Sequence, residues 1–283
     1  MKRLFYIFSL FFLIIACEQS DINFELEQAN DVVVYGYIED GQNPIVFLTY
    51  SANFTGKFDS SSLSKQLIAD AIVNVYSSAD SEQLSFKRGD EFIPPFYYEA
   101  NQLKGKVGES YRLKIEIDGR VIEAVTTIPE KEEIDSMWFV ANASNSDGQI
   151  WISMQDNNIG DDFYRILTRK KGSQGAFYPT LNYGAFSDHL FEGKSVDLSL
   201  LRGLENYVAP FGGVYFEIGD TIEVKLNTMD RISYDIWKQV QNEIFNYGNP
   251  LSAPNNPVGT NIIGGIGAWT GYGSNNYTIN IRQ

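Results

Sequence analysis

The sequence predicts a mainly β protein with one amphipathic helix, and three observations support this expectation. Apolar and polar residues alternate with period two in many short runs, which is the pattern of strands with one buried face. Gly, Asp, Asn and Pro separate these runs, as they do in turns. Apolar residues make up 43% of the chain and aromatic residues 14%, so a sizeable core is available and a disordered protein is excluded.

The first half of the chain predicts a β-sandwich. Its strongest local signal is Asp118-Gly119, which lies between two alternating runs and predicts a tight hairpin. A polar, serine-rich segment at 51–66 predicts a surface loop. We therefore expect an immunoglobulin-like sandwich over residues 31–129. Its predicted strands cover 32–37, 45–48, 71–76, 111–117 and 122–128.

The second half, residues 130–283, predicts a further antiparallel β domain. Pro129 and the charged run after it mark the boundary. The glycine-rich stretch 264–273 predicts a tightly turning hairpin in which glycines let two backbones approach each other. The predicted strands cover 149–154, 163–168, 221–226 and 277–279.

One helix is expected over about residues 229–247. Thr228 is the predicted N-cap, Asp230 suits the positive end of the helix dipole, and Gly248 ends the run. Four apolar residues recur every four positions and predict a face packed on a sheet. They are Ile232, Ile236, Val240 and Ile244.

Residues 1–16 predict a lipoprotein signal peptide. A positive head, Lys2-Arg3, precedes an apolar run that ends at Ala16, and Cys17 follows directly. The run is about 12 residues long, against the ~20 that a membrane-spanning helix needs. Cys17 is the single cysteine of the chain and stands where lipidation requires it. The alternative is an ordinary signal peptide with a chance cysteine.

Charge and composition exclude several classes of function. The net charge of −14 disfavours binding to nucleic acid, because like charges repel the phosphate backbone. With one cysteine the chain forms no internal disulfide, and with one histidine it builds no site from several Cys or His ligands. His189 is the one histidine, and the sequence has no Gly-x-Ser-x-Gly elbow to supply a nucleophilic serine for it. A catalytic triad is therefore not predicted. We expect no enzyme and assign no catalytic residue.

The best metal candidate is the segment 156–162, and two interpretations stay open for it. Asp156, Asn158, Asp161 and Asp162 offer the oxygen ligands that calcium prefers, which favours a structural calcium ion. The same residue types also make ordinary strand connections, and the glycine is out of register for an EF-hand. No other cofactor is expected.

Aromatic residues are candidates for a platform that binds a sugar or a partner. The alternative is that they are core residues, since aromatic side chains also favour strands. The candidates are Tyr97, Tyr98, Trp151, Trp269 and Tyr272. No ligand-binding residue is assigned.

Short segments in one order along the chain carry a resemblance to a known family. They include Val32-Val33-Val34-Tyr35-Gly36-Tyr37-Ile38, Pro44-Ile45-Val46, Tyr111-Arg112-Leu113-Lys114-Ile115, Thr126-Thr127-Ile128-Pro129, Ile134-Asp135-Ser136, Tyr164-Arg165 and Gly219-Asp220. Together they resemble the Bacteroidetes lipoproteins known as domain of unknown function 4249. The resemblance implies a two-part β protein at the outer membrane whose gene lies beside a TonB-dependent transporter.

The resemblance also bears on residues 17–30, the acidic tether that follows the signal peptide. Acidic residues just after the lipidated cysteine resemble the signal by which lipoproteins of the Bacteroidetes are transported to the cell surface. A solvated spacer that lifts the fold off the membrane is the other interpretation. We expect a lipid-anchored outer-membrane protein, with surface display left open between these two.

Three functions are consistent with these features. The first is a non-enzymatic envelope lipoprotein that docks on a TonB-dependent transporter and assists nutrient uptake. The second is a structural or adhesive surface lipoprotein. The third is a hydrolase of surface polymers, for which no pair of carboxylates stands out among the many in the chain.

Overall fold

Three β-sheets dominate the computed structural model, which describes residues 31–51, 66–89, 92, 94–143, 146–156, 160–173, 176–191, 193–203, 213–246 and 259–282. One α-helix lies in these ranges, α1 (Arg231–Asn246), with one short 3₁₀ turn (Asp188–Leu190). The prediction of a mainly β chain with one amphipathic helix is confirmed. The strands are β1 (Val32–Glu39), β2 (Ile45–Tyr50), β3 (Ile72–Tyr76), β4 (Ser81–Gln83), β5 (Ser85–Arg88), β6 (Phe96–Glu99), β7 (Ser110–Ile117), β8 (Arg120–Thr127), β9 (Ser136–Ala141), β10 (Asp147–Gln155), β11 (Phe163–Lys170), β12 (Tyr178–Pro179), β13 (Phe186–Ser187), β14 (Ser195–Leu200), β15 (Phe216–Glu217), β16 (Thr221–Met229) and β17 (Ile266–Asn280).

The largest sheet joins the two halves of the chain through its last strand. Its strand order is β12-β11-β16-β17-β1-β2-β6-β5, with β13 also paired to β11. The first half of β17 runs parallel to β1, from Val33↔Ile266 to Glu39↔Tyr272. Its second half runs antiparallel to β16, beginning at Thr228↔Gly273. One strand therefore belongs to both halves of this sheet.

Two smaller sheets cover one face of the large sheet, side by side. The sheet β4-β3-β7-β8 packs on the half that holds β1 and β2, and encloses the first hydrophobic core. The sheet made of β9, β10, β14 and β15 packs on the half that holds β11 and β16, around a second core. The opposite face of the large sheet is left to α1 and to loops. The predicted boundary at residue 130 stays a prediction.

Trp269 of β17 lies in the first core and links the large sheet to the smaller sheet that faces it. The side chain is fully buried, and Nε1 donates a hydrogen bond to the carbonyl oxygen of Tyr111 on β7, at 3.0 Å. Gly36 lies opposite Trp269 in the register of the parallel pair. A Cβ atom at Gly36 would lie 2.8 Å from Cε3 of the indole, so this strand position accommodates only glycine beside the tryptophan.

The hairpin predicted at Asp118-Gly119 is confirmed. It joins β7 to β8, and Ile117 pairs with Arg120 across the turn. The φ angles are 48° at Asp118 and 71° at Gly119. Two successive positive φ values define a type I′ turn, whose twist matches that of the strands it connects.

The hairpin predicted over 264–273 is wrong, because Ile266 to Asn280 form one continuous strand. A strand with β1 on one side and β16 on the other has hydrogen-bonding partners already and needs no hairpin partner. The expected close approach of backbones does occur. Gly267 has φ of +118°, and a Cβ atom there would clash with the carbonyl oxygen of Val34.

The helix matches its predicted bounds within two residues, but its N-cap and its buried face differ. Asp230, not Thr228, caps the helix, since its Oδ1 accepts a hydrogen bond from the Ser233 N–H at 2.7 Å. Thr228 lies inside β16. Ile232 is exposed while Ser233 and Ile236 are buried, so the buried face includes Ile236 of the predicted stripe but not Ile232.

Several predicted features lie outside the described residues. These are the signal peptide, Cys17 and the tether up to residue 30, together with most of the predicted loop at 51–66. Among the described residues, no helix is long and apolar enough to cross a membrane.

We expect Trp269→Ala to lower the free energy of unfolding by about 3–5 kcal/mol, because it removes a large buried ring and leaves a cavity between two sheets. Denaturant unfolding measures this loss. Ile266→Ala, on the same strand but 41% exposed, is the control and should cost less than about 1 kcal/mol. Equal losses in the two variants would contradict the role given to Trp269.

Candidate functional site

A cleft of about 480 Å³ lies on the face of the large sheet that points away from both cores. Strand alternation sends Tyr35 and Tyr37 of β1 to this face, while Val34 and Ile38 enter the core. The volume is in the range of small-molecule sites. This aromatic cleft is lined by Val33, Tyr35, Tyr37, Glu39, Phe47, Thr49, Phe92, Pro94, Arg165, Leu167, Arg169, Ala176, Phe177, Lys225, Asn227 and Tyr272.

Aromatic rings in mutual contact form one wall of the cleft. The ring centroid of Tyr35 lies 5.5 Å from that of Phe47, nearly parallel to it. It also lies 5.6 Å from the ring of Trp237 on α1, edge to face. Phe92 meets Phe47 edge to face at 5.3 Å. Each such pair contributes about 0.5–1.5 kcal/mol beyond area burial, so these contacts stabilise the wall.

Arg165 of β11 lies at the floor of the cleft and is only 4% exposed. Its Nε donates a hydrogen bond to the carbonyl oxygen of Gly184 at 3.2 Å, and its Nη1 donates one to the Tyr272 hydroxyl at 2.9 Å. The guanidinium carbon lies 3.8 Å from the ring centroid of Trp237, in cation–π geometry. The Tyr35 hydroxyl also accepts a hydrogen bond from the guanidinium, and burial keeps this phenol neutral by raising its pKa. All of these partners are uncharged.

Tyr272 stays neutral beside this cation. Burial raises the pKa of Tyr272 above its ordinary value, and the positive charge of Arg165 only partly opposes that rise. The phenol is therefore protonated at neutral pH and acts as an uncharged acceptor for Nη1 of Arg165. It does not neutralise the guanidinium.

The mouth of the cleft carries two further cations, and each has its own carboxylate. Lys225 Nζ lies 2.8 Å from Oε2 and 3.1 Å from Oε1 of Glu39. Arg169 Nε lies 2.8 Å from Oε2 of Glu223. The ring of Phe177 lies between the two cations, 4.7 Å from Lys225 Nζ and 4.3 Å from the Arg169 guanidinium carbon. The charges at the mouth are balanced, whereas the charge at the floor is not.

The predicted metal segment contributes to a different cluster, on the outer side of β11. Carboxylate oxygens of Asp156, Asp162 and Asp188 lie within 4.8 Å of one another. Asp162 N–H donates to Oδ2 of Asp188 at 3.0 Å, and Asp188 N–H donates to the Asp162 carbonyl at 3.2 Å. Asp156 Oδ2 accepts the N–H of Gly193. Three carboxylates at this spacing match the oxygen ligands of calcium.

Asp188 is the most deeply buried member of this carboxylate cluster, at 1% exposure. Burial raises the pKa of Asp188 above its ordinary value, and the negative charge of Asp156 adds to that rise, against the effect of the Asp162 N–H. A proton or a bound cation would relieve this repulsion. Both interpretations of the segment, calcium site and ordinary strand connection, remain predictions.

Of the other predicted ligands, Asp161 is described by the structure and is not a member of this cluster. Asp161 is exposed, and its Oδ2 lies 3.6 Å from Arg231 Nη1. Asn158 lies outside the described residues. His189 is exposed although Asp188 beside it is buried, so the two side chains point in different directions, as expected for neighbours in sequence. 

Four of the five candidate platform aromatics are buried, but only Tyr98 and Trp269 belong to the first core, and Tyr97 packs against Phe47 and Phe92 of the cleft wall. The four are Tyr97, Tyr98, Trp269 and Tyr272. Trp151 is half-buried on β10 and stacks on Trp138 of β9, with ring centroids 6.2 Å apart. Tyr272 is the member of the set that also lines the aromatic cleft.

Sequence reasoning missed the cleft and the third carboxylate of the cluster. The outward positions of β1 do contain the signal Tyr35-x-Tyr37-x-Glu39, in which aromatic residues occupy the face opposite the core. No sequence signal indicates that β11 and β1 belong to one sheet. The two strands do not pair with each other, because β16 and β17 lie between them in the sheet. Asp188 joins the cluster because β13 pairs with β11.

Comparisons with known proteins identify a family. The model of the family described as "Domain of unknown function (DUF4249)" matches residues 19–278. The comparison with curated proteins gives no match. Among solved structures, a chain titled "Cytokine receptor complex - Crystal form 1A" is 9% identical, covers 88% of this chain and 97% of its own length, and has a TM-score of 0.26. A chain titled "Cytokine receptor complex - Crystal form 2" is also 9% identical, covers 71% of this chain and 92% of its own, with a TM-score of 0.23. Scores this low do not indicate a shared fold.

We expect Asp188→Asn to stabilise the protein at neutral pH when chelator is present. The variant keeps an oxygen acceptor for the Asp162 N–H and removes a buried charge. Because the folded-state pKa of Asp188 is raised, the native state binds more protons than the unfolded state above about pH 4, and stability is lost as pH rises through that pKa. The melting temperature of the variant should exceed that of the wild type by about 2–4 °C at neutral pH, and the difference should shrink toward pH 4. An unchanged difference across this range would contradict the raised pKa.

Added calcium tests the cluster as a metal site in the same melting experiment. A calcium site predicts that calcium raises the melting temperature of the wild type and not that of Asp188→Asn. Asp197→Asn, which changes an exposed carboxylate on β14, is the control and should respond like the wild type. No response in the wild type would favour the ordinary strand connection.

Proposed function

The chain belongs to the DUF4249 family, and from this premise we propose that it is a lipid-anchored outer-membrane protein that assists a TonB-dependent transporter. In this proposal it captures a small ligand in the aromatic cleft, presents it to the transporter and does not transform it. The observation that carries the proposal is the aromatic cleft. It is concave and mainly apolar, with a few placed polar groups, which is the usual character of a small-molecule site.

The sequence supports the anchoring part of the proposal. Cys17 follows a short apolar segment and a small residue, and two or more acyl chains on one residue give stable membrane attachment. Residues 17–30 then lead to β1, which begins at Val32. Fully extended, this tether would reach up to about 45 Å. Such a reach lets the cleft approach a transporter in the same membrane.

The chemistry of the cleft supports a binding role without catalysis. Glu39 is the one carboxylate among its described lining residues, and Lys225 holds it in an ion pair. A general acid or base must lie within hydrogen-bond reach of the substrate, whereas both carboxylate oxygens of Glu39 are bonded to Lys225. We therefore assign to the cleft recognition of a ligand and not its conversion.

Cys17→Ala should abolish incorporation of labelled palmitate, because the thiol of Cys17 is the one site in the chain for diacylation. Labelling in growing cells followed by immunoprecipitation measures this. Ser20→Ala, three residues into the tether, is the control and should label like the wild type. A labelled Cys17→Ala protein would overturn the lipoprotein assignment.

Purification of the tagged protein from native membranes in mild detergent should recover a TonB-dependent transporter in stoichiometric amount. Mass spectrometry identifies the recovered proteins, and the Cys17→Ala variant tests whether recovery needs the anchor. Recovery of the lipoprotein alone would contradict the accessory role. It would favour instead the structural or adhesive alternative.

A further inference from the structure

The aromatic cleft contains a buried positive charge that no carboxylate of the described residues balances. Arg165 is almost fully buried, yet its hydrogen bonds go to uncharged groups: a backbone carbonyl, the Tyr272 hydroxyl and the Tyr35 hydroxyl. No described carboxylate lies within ion-pair distance of it. By contrast, Lys225 and Arg169 at the mouth each have a glutamate within 2.8 Å.

A buried guanidinium without a counter-ion is unfavourable, because burial removes its hydration and nothing of opposite charge replaces it. The cation–π contact with Trp237 recovers only a part of this loss. An anion that enters the cleft would complete the charge balance. The excess is local, since the protein as a whole has a net charge of −14. Most of its surface therefore repels the anion that this floor attracts.

The surroundings of Arg165 define the rest of the ligand. Tyr35, Phe47 and Phe92 form an apolar wall that suits a flat ring or an alkyl chain. The planar guanidinium matches a carboxylate, which accepts two hydrogen bonds in one plane. The volume of about 480 Å³ accommodates a small molecule and not a polymer.

We propose that the aromatic cleft binds an organic carboxylate with an aromatic or alkyl body, with the carboxylate at Arg165 and the body against the wall of Tyr35 and Phe47. This inference rests on the proposed function and names the ligand class of that site. In this arrangement the carboxylate of the ligand faces the floor and its apolar body lies along the wall. The ion pairs at the mouth, Lys225–Glu39 and Arg169–Glu223, do not contact the carboxylate.

Isothermal titration of the full-length protein in lipid nanodiscs tests the ligand class without any variant. Phenylacetate is the probe, and phenylacetamide is its uncharged match in size and shape. We expect phenylacetate to bind about tenfold more tightly or better, since a hydrogen bond between two charged groups is among the strongest in proteins. Equal affinity for the two compounds would overturn the proposal, as would no binding of either phenylacetate or octanoate.

Two further arms identify the anion and the residue. Tighter binding of phenyl phosphate than of phenylacetate would overturn the assignment of a carboxylate.

Arg165→Gln should abolish the preference for phenylacetate over phenylacetamide, while Arg165→Lys should keep a reduced preference because it retains the charge and loses the planar fork. Arg112→Gln, which changes an exposed arginine on β7, is the control and should bind like the wild type. A preference that survives in folded Arg165→Gln would contradict the role of Arg165.

The outcome is separable from that of the proposed function. Co-purification with a transporter depends on the anchor and the docking surface, whereas the titrations depend on the cleft alone. If the transporter is recovered and phenylacetate does not bind, the ligand class is wrong and the accessory role stands. If phenylacetate binds and no transporter is recovered, the site stands and the accessory role fails.

Discussion

The pairing of β17 with two partners is the constraint on which the rest of the structure depends. The strand is parallel to β1 along its first half and antiparallel to β16 along its second half. Without it the two halves of the large sheet would not be joined, because β17 is the strand between β16 and β1. Trp269 fixes the first half, because the indole lies in the core and its N–H bonds a carbonyl of the facing sheet. The second half brings Tyr272 to the opposite face, where it bonds Arg165. One strand thus supports a core on one side and the cleft on the other.

The cleft gathers its residues from both halves of the chain because that sheet is continuous. Tyr35 and Phe47 come from β1 and β2, whereas Arg165 and Lys225 come from β11 and β16. The apolar wall and the cationic floor would not adjoin if the halves were separate bodies. Aromatic side chains exclude water from the guanidinium, and exclusion of water strengthens its attraction for an anion. The wall and the charge therefore act on the same ligand.

The features that could be predicted from sequence are those that depend on neighbours along the chain. The type I′ turn at Asp118-Gly119 follows from two residues that tolerate positive φ, and α1 from a period close to 3.6. The β1–β17 pair joins opposite ends of the chain, and no local pattern specifies it. The sequence also does not indicate that Arg165 of β11 forms the floor of the cleft. The first six residues of β11 are all buried, so no alternation of buried and exposed residues marks one face of the strand. The predicted N-cap at Thr228 is wrong because threonine is common both at strand ends and at helix starts, and the cap is the Asp230 carboxylate.

The same connectivity links the carboxylate cluster to the cleft. Asp162 immediately precedes β11, and Asp188 immediately follows β13, which pairs with β11 through Tyr164 and Phe186. The hydrogen bonds between the two aspartates close this short ladder at its outer end. Gly184, just before β13, supplies the carbonyl that holds Nε of Arg165. Whatever neutralises the buried carboxylate of Asp188, a proton or a cation, therefore also stabilises the segment that positions the arginine. The acidic cluster at the edge of the sheet and the cationic floor of the cleft therefore share one short segment, in which Gly184 bonds Arg165 and Asp188 bonds Asp162.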